Sequence, residues 1–215
     1  MPEPLVIWGA GGHALVVADI FRQRGDFTIA GFIDDVTPER RGSAFAGSVV
    51  LGGREQLDGL HAQGIHTLFL AFGDCAERLK LADFVRAQGF SLATAVHPSA
   101  VIAPSVPVGA GTAIMAGVVV NPAVRIGENA ILNTRASVDH ECVIEDGAHL
   151  SPGVCLGGRV SVGRGTWIGI GAVVKDKVRI GSGSIIGAGA VVLDDIPDGV
   201  VAYGVPAKLI RRITE

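Results

Sequence analysis

The chain has 215 residues and a formal net charge of −3, from 18 basic and 21 acidic side chains with histidine neutral. Apolar residues make up 48% of it, yet no apolar run approaches the roughly 18 residues needed to span a bilayer, so membrane insertion is not expected. No Lys/Arg run with interleaved aromatics exists, which argues against nucleic acid.

Cys75, Cys142 and Cys155 are an odd set without metal or redox spacing, as suits a reducing cytoplasm. Met1-Pro-Glu-Pro lacks a basic region and the apolar run after it is short, so no signal peptide is expected. The charge is unevenly spread. Residues 1–95 carry 8 bases against 11 acids, residues 96–158 carry 2 against 5, and residues 159–215 carry 8 against 5. A basic end on an acidic chain suits a small phosphorylated ligand.

In chain order, Leu5–Trp8 reads as a short buried strand ending in Gly9-Ala10-Gly11-Gly12-His13-Ala14, followed by a helix over Ala14–Arg24 that stops at Gly25. Phe27–Ile33 reads as a second strand ending in Asp34-Asp35. Val49–Leu51, Thr67–Phe72 and Phe90–Ala95 read as further strands, with helices near Arg54–Gln63 and Ala76–Gln88. Strands alternating with helices predict a small parallel sheet covered on both faces. A glycine turn between the first strand and its helix can present backbone N–H groups to a phosphate. Gly9-x-Gly11-x-x-Ala14 satisfies the dinucleotide pattern, but these residues leave no substrate domain for hydride transfer. A nucleotide attached to something else fits better. Asp34 or Asp35 would then accept from ribose or base, and the Gly73-Asp74 loop would complete the cleft. A turn at a strand end is the competing reading of the Asp pair.

From Val96 to Val192 every sixth residue is Val, Ile or Leu, without interruption, and the position four residues after each is small or β-branched. Neither a helix nor a simple strand has that period; it predicts a parallel β-helix of hexapeptides, three to a coil, with coils stacked about 4.8 Å apart. Two domains are expected, residues 1–95 and residues 96–215, the second ending in a short tail.

His61 and His66 flank a Gln-Gly turn at the surface, and His97 precedes Pro98 at the entry to the first coil. His13 sits at the phosphate turn. His140 and His149 lie at outward-facing positions within the coils. Asp139 and Glu141 both neighbour His140, and a carboxylate beside an imidazole orients it and raises its basicity. The sequence leaves open which one pairs with it. A metal would need a third ligand that the coils do not supply. Cys142 falls on an inward position and reads as a small core residue. His140 and His149 are half a coil apart, on different sides of the prism, so they can share a site only where two subunits meet. That predicts a homotrimer with its sites at the interfaces.

The hexapeptide run, the Asn133-Thr134 corner, Asp139-His140-Glu141-Cys142, His149 and the terminal Gly204-Val205-Pro206-Ala207-Lys208 resemble the left-handed β-helix acyltransferases. Gly9-Ala10-Gly11-Gly12-His13, Asp34-Asp35 and Ala71-Phe72-Gly73-Asp74 narrow the resemblance to the bacterial nucleotide-sugar N-acetyltransferases of the bacillosamine and perosamine pathways, grouped with the sialic acid O-acetyltransferase family. The resemblance implies a Rossmann-like N-terminal domain followed by a left-handed parallel β-helix. It implies acetyl-CoA as donor and the C4 amine of a UDP- or GDP-linked 4-amino-4,6-dideoxyhexose as acceptor. His140 would be the general base and Glu141 the residue that raises its basicity. His149, Ile170 and Ala188 would contact acetyl-CoA. Gly11, Gly12, His13, Asp34, Asp35 and Gly73 would hold the nucleotide sugar. Lys175, Lys177, Arg179, Lys208, Arg211 and Arg212 are candidates for the CoA phosphates. Asp74 stands where family members often show Asn. A sialic acid O-acetyltransferase and a catalytically silent scaffold are the competing readings. The first would not need a nucleotide site, and the second would not need the His140–Glu141 pair.

Overall fold

The computed structural model describes residues 2–213. Its first part is a sheet of β1 (Glu3–Trp8), β2 (Phe27–Ile33), β3 (Ala44–Phe45), β4 (Ser48–Gly52), β5 (Thr67–Leu70) and β6 (Ser91–Leu92). The strand order is β3-β4-β2-β1-β5-β6, parallel throughout except for the β3–β4 hairpin. Three helices make the crossovers: α1 (Gly12–Arg24), α2 (Leu57–Ala62) and α3 (Cys75–Ala87). Leu5, Val6, Ile7 and Trp8 are all buried, because successive side chains of central β1 point to opposite, covered faces. Leu5 and Ile7 pack with Val17 and Phe21 of α1, whereas Val6 and Trp8 pack with Leu57, Leu60, Ala82 and Val85 of α2 and α3.

Of the boundaries that differ from the sequence expectation, three bear on the crevice and its junction with the coil. Helix α1 starts at Gly12, two residues early, because Gly11 serves as its extended N-cap. Strand β5 ends at Leu70, which frees Ala71–Asp74 to line a cleft. The run expected over Phe90–Ala95 divides: Ser91–Leu92 joins the α/β sheet, but Ala95–Val96 pairs with Ala113–Ile114 in the coil.

Beyond that handover the chain winds through three parallel sheets. Partners lie eighteen residues apart, as in Val119↔Ser137↔Cys155↔Val173↔Val191 and Ile131↔His149↔Trp167↔Ile185. Each two-residue strand turns one side chain inward and one outward. Leu132, Val138, Ile144, Leu150 and Leu156 stack inside, with the small positions Ala136, Cys142, Ala148 and Val154 beside them. Thr112 and Thr166 enter this core only because their hydroxyls donate to the carbonyls of Gly127 and Gly181.

Most coil corners carry one left-handed residue, although the first two, at Ser99 and Ser105, do not. From Gly111 to Gly189 it recurs at each sixth position. Two of the three corner columns are mostly glycine. The third, Ala123, Glu141, Arg159 and Lys177, contains none, at φ values of 60–64°. A non-glycine residue there costs about 1 kcal/mol, so this corner carries side chains at an energetic disadvantage. A C-terminal hairpin, Val200–Gly204 with Ala207–Arg212, closes the stack.

The two parts share a core. Ala113, Met115 and Ile131 of the coil belong to the same apolar cluster as Leu5, Val17 and Phe21. Helix α3 lies against a coil corner, where a Cβ on Gly147 would meet Leu79 Cδ1 at 2.6 Å. No helix of the described residues is long and apolar enough to cross a membrane.

Candidate active site

After the β3–β4 hairpin the chain returns to the sheet on the other side of β1, so the crevice at the carboxyl ends of β1, β2 and β5 is the switch point of the sheet, the usual ligand position in such folds. A cavity of about 800 Å³ occupies it. Gly11, Gly12, His13, Asp34, Asp35 and Gly73 all line it. Gly9 makes the crevice possible, since at φ 120° any Cβ would stand 2.7 Å from the Ala71 carbonyl oxygen. The Gly11 cap supplies no side-chain acceptor to the first turn of α1, so those N–H groups remain for a ligand.

The aspartates are more committed than the sequence suggested. Asp34 Oδ1 accepts from the backbone N–H groups of Val36 (2.9 Å) and Thr37 (3.2 Å), and its Oδ2 lies 3.4 Å from Arg40 Nη1. Asp35 is held by Arg54 through the backbone N–H at 2.7 Å and the guanidinium at 2.9 and 3.1 Å. Both carboxylates therefore build the wall, Asp34 through a local turn and Asp35 through its long-range clamp on Arg54. Asp74 likewise caps α3, accepting from Glu77 N–H at 2.8 Å. Arg40, Arg54, Lys80 and Phe84 also line the cavity. Sequence reasoning missed them because they come from two 3-10 turns and one helix, none with a motif.

The second site lies on the glycine-free corner. His140 Nδ1 meets Glu141 Oε2 at 2.9 Å, and Arg159 Nε donates to the same oxygen at 3.0 Å. Asp139 is occupied by the His140 backbone N–H and by Asn121 Nδ2. Glu141 is therefore the partner, and the hydrogen bond from His140, then that from Arg159, holds its carboxyl below the usual range. With Nδ1–H donating, Nε2 is left as the acceptor. It overhangs Gly158, where a Cβ would stand only 2.7 Å away. His140, Cys155, Arg159, Lys175 and Lys177 line a cavity of about 600 Å³. Arg159 lies one coil beyond Glu141, so a step of eighteen along the sequence would have found it; Lys177, already a candidate, lies one coil further.

His149 does not join this group. It faces out of the coil, as expected, but is only 7% exposed. Its ring stacks on Trp167 at 5.7 Å with Nε2 3.4 Å from Asn133 Nδ2, and a Cβ on Gly73 would touch it at 3.7 Å. Ile170 and Ala188, both exposed, stand on later corners of the stack. Trp167, one coil above His149, was also missed. Among the described residues no three His, Cys, Asp or Glu side chains are grouped to hold a metal.

Burial, then the charge of Arg78, lowers both His13 and His149 to about 4. An unfolded histidine takes up a proton near pH 6.5 that these folded ones refuse. Stability is therefore flat above that pH and falls as pH drops toward 4. For His149 the loss between pH 7 and pH 5 is about 2 kcal/mol. Urea unfolding of His149→Asn at the two pH values should show the pH dependence reduced by that amount; an unchanged dependence would count against a neutral buried imidazole.

Comparison with known proteins places this geometry. Residues 4–85 match the PglD N-terminal domain and residues 159–194 the bacterial transferase hexapeptide (six repeats). A mutant GDP-perosamine N-acetyltransferase from Caulobacter crescentus, solved with CoA and GDP-perosamine, is 45% identical over 97% of both chains, with a TM-score of 0.92. The chain belongs to the nucleotide-sugar N-acetyltransferases of the hexapeptide-repeat superfamily. The acetyltransferase domain of PglB from Neisseria gonorrhoeae, solved with acetyl coenzyme A, is 36% identical over 98% of this chain and 100% of that one, with a TM-score of 0.90. WeeI from Acinetobacter baumannii AYE is 27% identical over 97% and 100%, with a TM-score of 0.81. A comparison with curated proteins gave no match. The two matched regions fall one on the α/β part that carries the crevice and one on the coil.

Proposed function

We propose that the protein transfers the acetyl group of acetyl-CoA to the C4 amine of a GDP-linked 4-amino-4,6-dideoxyhexose of the perosamine type. The observation that carries this is the 45% identity, over 97% of both chains, to an enzyme solved with CoA and GDP-perosamine. A UDP-linked acceptor is the second reading, because the crevice lining of glycines, aspartates and arginines fits either nucleoside diphosphate. In this reading residues 1–95 form a Rossmann-like acceptor domain, and residues 96–215 a left-handed β-helix that binds the donor. His149, Ile170 and Ala188 line the pantetheine path, with Lys175 and Lys177 toward the phosphates. The reaction belongs to glycan assembly in the cytoplasm.

His140 Nε2 takes the proton lost when the sugar nitrogen adds to the thioester carbonyl; the C–N bond forms, the C–S bond breaks, and the proton can pass to the departing thiolate. Glu141 holds the ring and offsets its positive charge, and a backbone N–H stabilises the oxyanion. Two structures of the Caulobacter enzyme with CoA and GDP-perosamine have a histidine replaced, by alanine in one and asparagine in the other, which fits a histidine at the centre of the chemistry.

His140 is 51% exposed within one chain, too open to exclude water, and beside it runs the uncharged outer column Val101, Val119, Ser137, Cys155, Val173 and Val191. A second subunit on that column would close the site, and three copies would complete a trimer.

Thiol release from acetyl-CoA with GDP- and UDP-linked 4-amino sugars, run alongside sedimentation, tests the reading. GDP-perosamine should be the fastest substrate and the active species a trimer. Turnover confined to UDP-sugars would select the second reading, and no turnover with any of them would refute both. An active monomer would remove the trimer.

A further inference from the structure

Arg78 is the largest fully buried side chain among the described residues, at 0% exposure, and no carboxylate there pairs with it. Its partners are five carbonyl oxygens. Nη1 donates to Phe72 and Gly73 at 3.0 Å and to Asp74 at 3.2 Å, all in the loop that lines the nucleotide crevice. Nε donates to Asn129 and Nη2 to Gly147, both at 2.8 Å, in two successive coils of one corner column. A guanidinium buried without a carboxylate is costly, and an apolar side chain would hold helix to coil at less expense. Leu79 already does so against Gly147. What only the planar five-donor fork can do is set the loop and two coils at fixed distances from one another.

We infer that Arg78 is a positioning residue for acyl transfer, fastening the crevice loop at Phe72–Asp74 to the coil so that the acceptor amine and the donor thioester meet in register. The inference rests on the proposed two-substrate reading, with the acceptor on the crevice and the donor on the coil. The surroundings support it. Three buried polar atoms without a partner, His13 Nε2, His149 Nδ1 and Asn129 Oδ1, belong to residues of this same junction. His13 comes from the crevice, His149 and Asn129 from the coil. The charge of Arg78 also reaches both imidazoles, disfavouring their protonation. Groups from both halves thus converge on one cation.

Arg78→Lys keeps the charge but cannot span five acceptors in two structural units. A displacement of about 1 Å at the reacting atoms can cost up to about 10²-fold in rate. In the full-length chain, kcat per folded molecule with the preferred nucleotide-linked amino sugar should fall roughly 10- to 100-fold. Calorimetric binding of CoA alone and of GDP or UDP alone should stay within about two-fold of the parent, because each half-site is intact. A residue with a merely structural role would lower the melting temperature and leave kcat of the folded fraction alone. Arg86→Ala, which breaks the exposed Arg86–Glu128 pair on the same seam, should leave kcat unchanged. Parental kcat in folded Arg78→Lys, loss of either ligand in parallel with kcat, or an equal loss in Arg86→Ala would overturn the inference. Arg78→Gln is the second variant should the lysine form not fold; failure of both to fold would assign Arg78 to the scaffold alone and overturn it too. A parent protein inactive on every nucleotide-linked amino sugar would instead refute the functional reading beneath it.

Discussion

Replacing His140 by alanine is expected to lower kcat by about 10²–10⁴-fold, the usual contribution of a positioned general base. The fold should survive, because the side chain lies on an outer corner and adds nothing to the stacked core of Leu132, Val138 and Leu150. Its orientation is set twice: Nδ1 is held by Glu141, and Glu141 by Arg159. Glu141→Gln should therefore lose less than His140→Ala, since the amide can still accept from Nδ1–H but no longer offsets the imidazolium charge. Steady-state turnover on protein with a parental circular dichroism spectrum is the measurement. Near-parental turnover of His140→Ala would remove this histidine from the mechanism.

Asp34→Ala is expected to raise the KM for the nucleotide sugar about ten- to a hundred-fold with little change in kcat, the pattern of an interaction equally present in ground and transition states. The route is through the wall of the crevice. Asp34 pins the Val36 and Thr37 N–H groups, and it faces Arg40, which also donates to the Ala10 carbonyl and lies over the Phe45 ring at 4.9 Å. Without the carboxylate the 36–37 turn and Arg40 lose their common anchor, and a nucleotide must order them on binding. CoA affinity should not move. An unchanged nucleotide-sugar KM, or weakened CoA binding, would put the acceptor on the wrong part of the chain.

The periodic part of the molecule is legible in the amino-acid sequence alone. A strict six-residue apolar period permits one arrangement in which every such side chain is inside, and the eighteen-residue spacing of Ile131, His149, Trp167 and Ile185 follows from three strands per coil. The crevice is legible for a similar reason: a buried strand followed by glycines and a helix leaves backbone N–H groups without partners, whatever surrounds them. Local rules suffice because the groups involved are close in sequence or repeat at a fixed step.

The rest is decided by contacts between parts distant in the chain. Whether Asp139 or Glu141 serves His140 depends on Asn121, one coil below, which engages Asp139, and on Arg159, one coil above, which engages Glu141. That His149 is covered rather than open depends on the loop at Gly73. Arg78 reads in sequence as an ordinary helix-surface charge, because nothing near it announces burial. Its acceptors at Asn129 and Gly147 lie 51 and 69 residues away. Only when α3 docks against the coil corner do those carbonyls converge, and a guanidinium becomes the side chain able to satisfy them all.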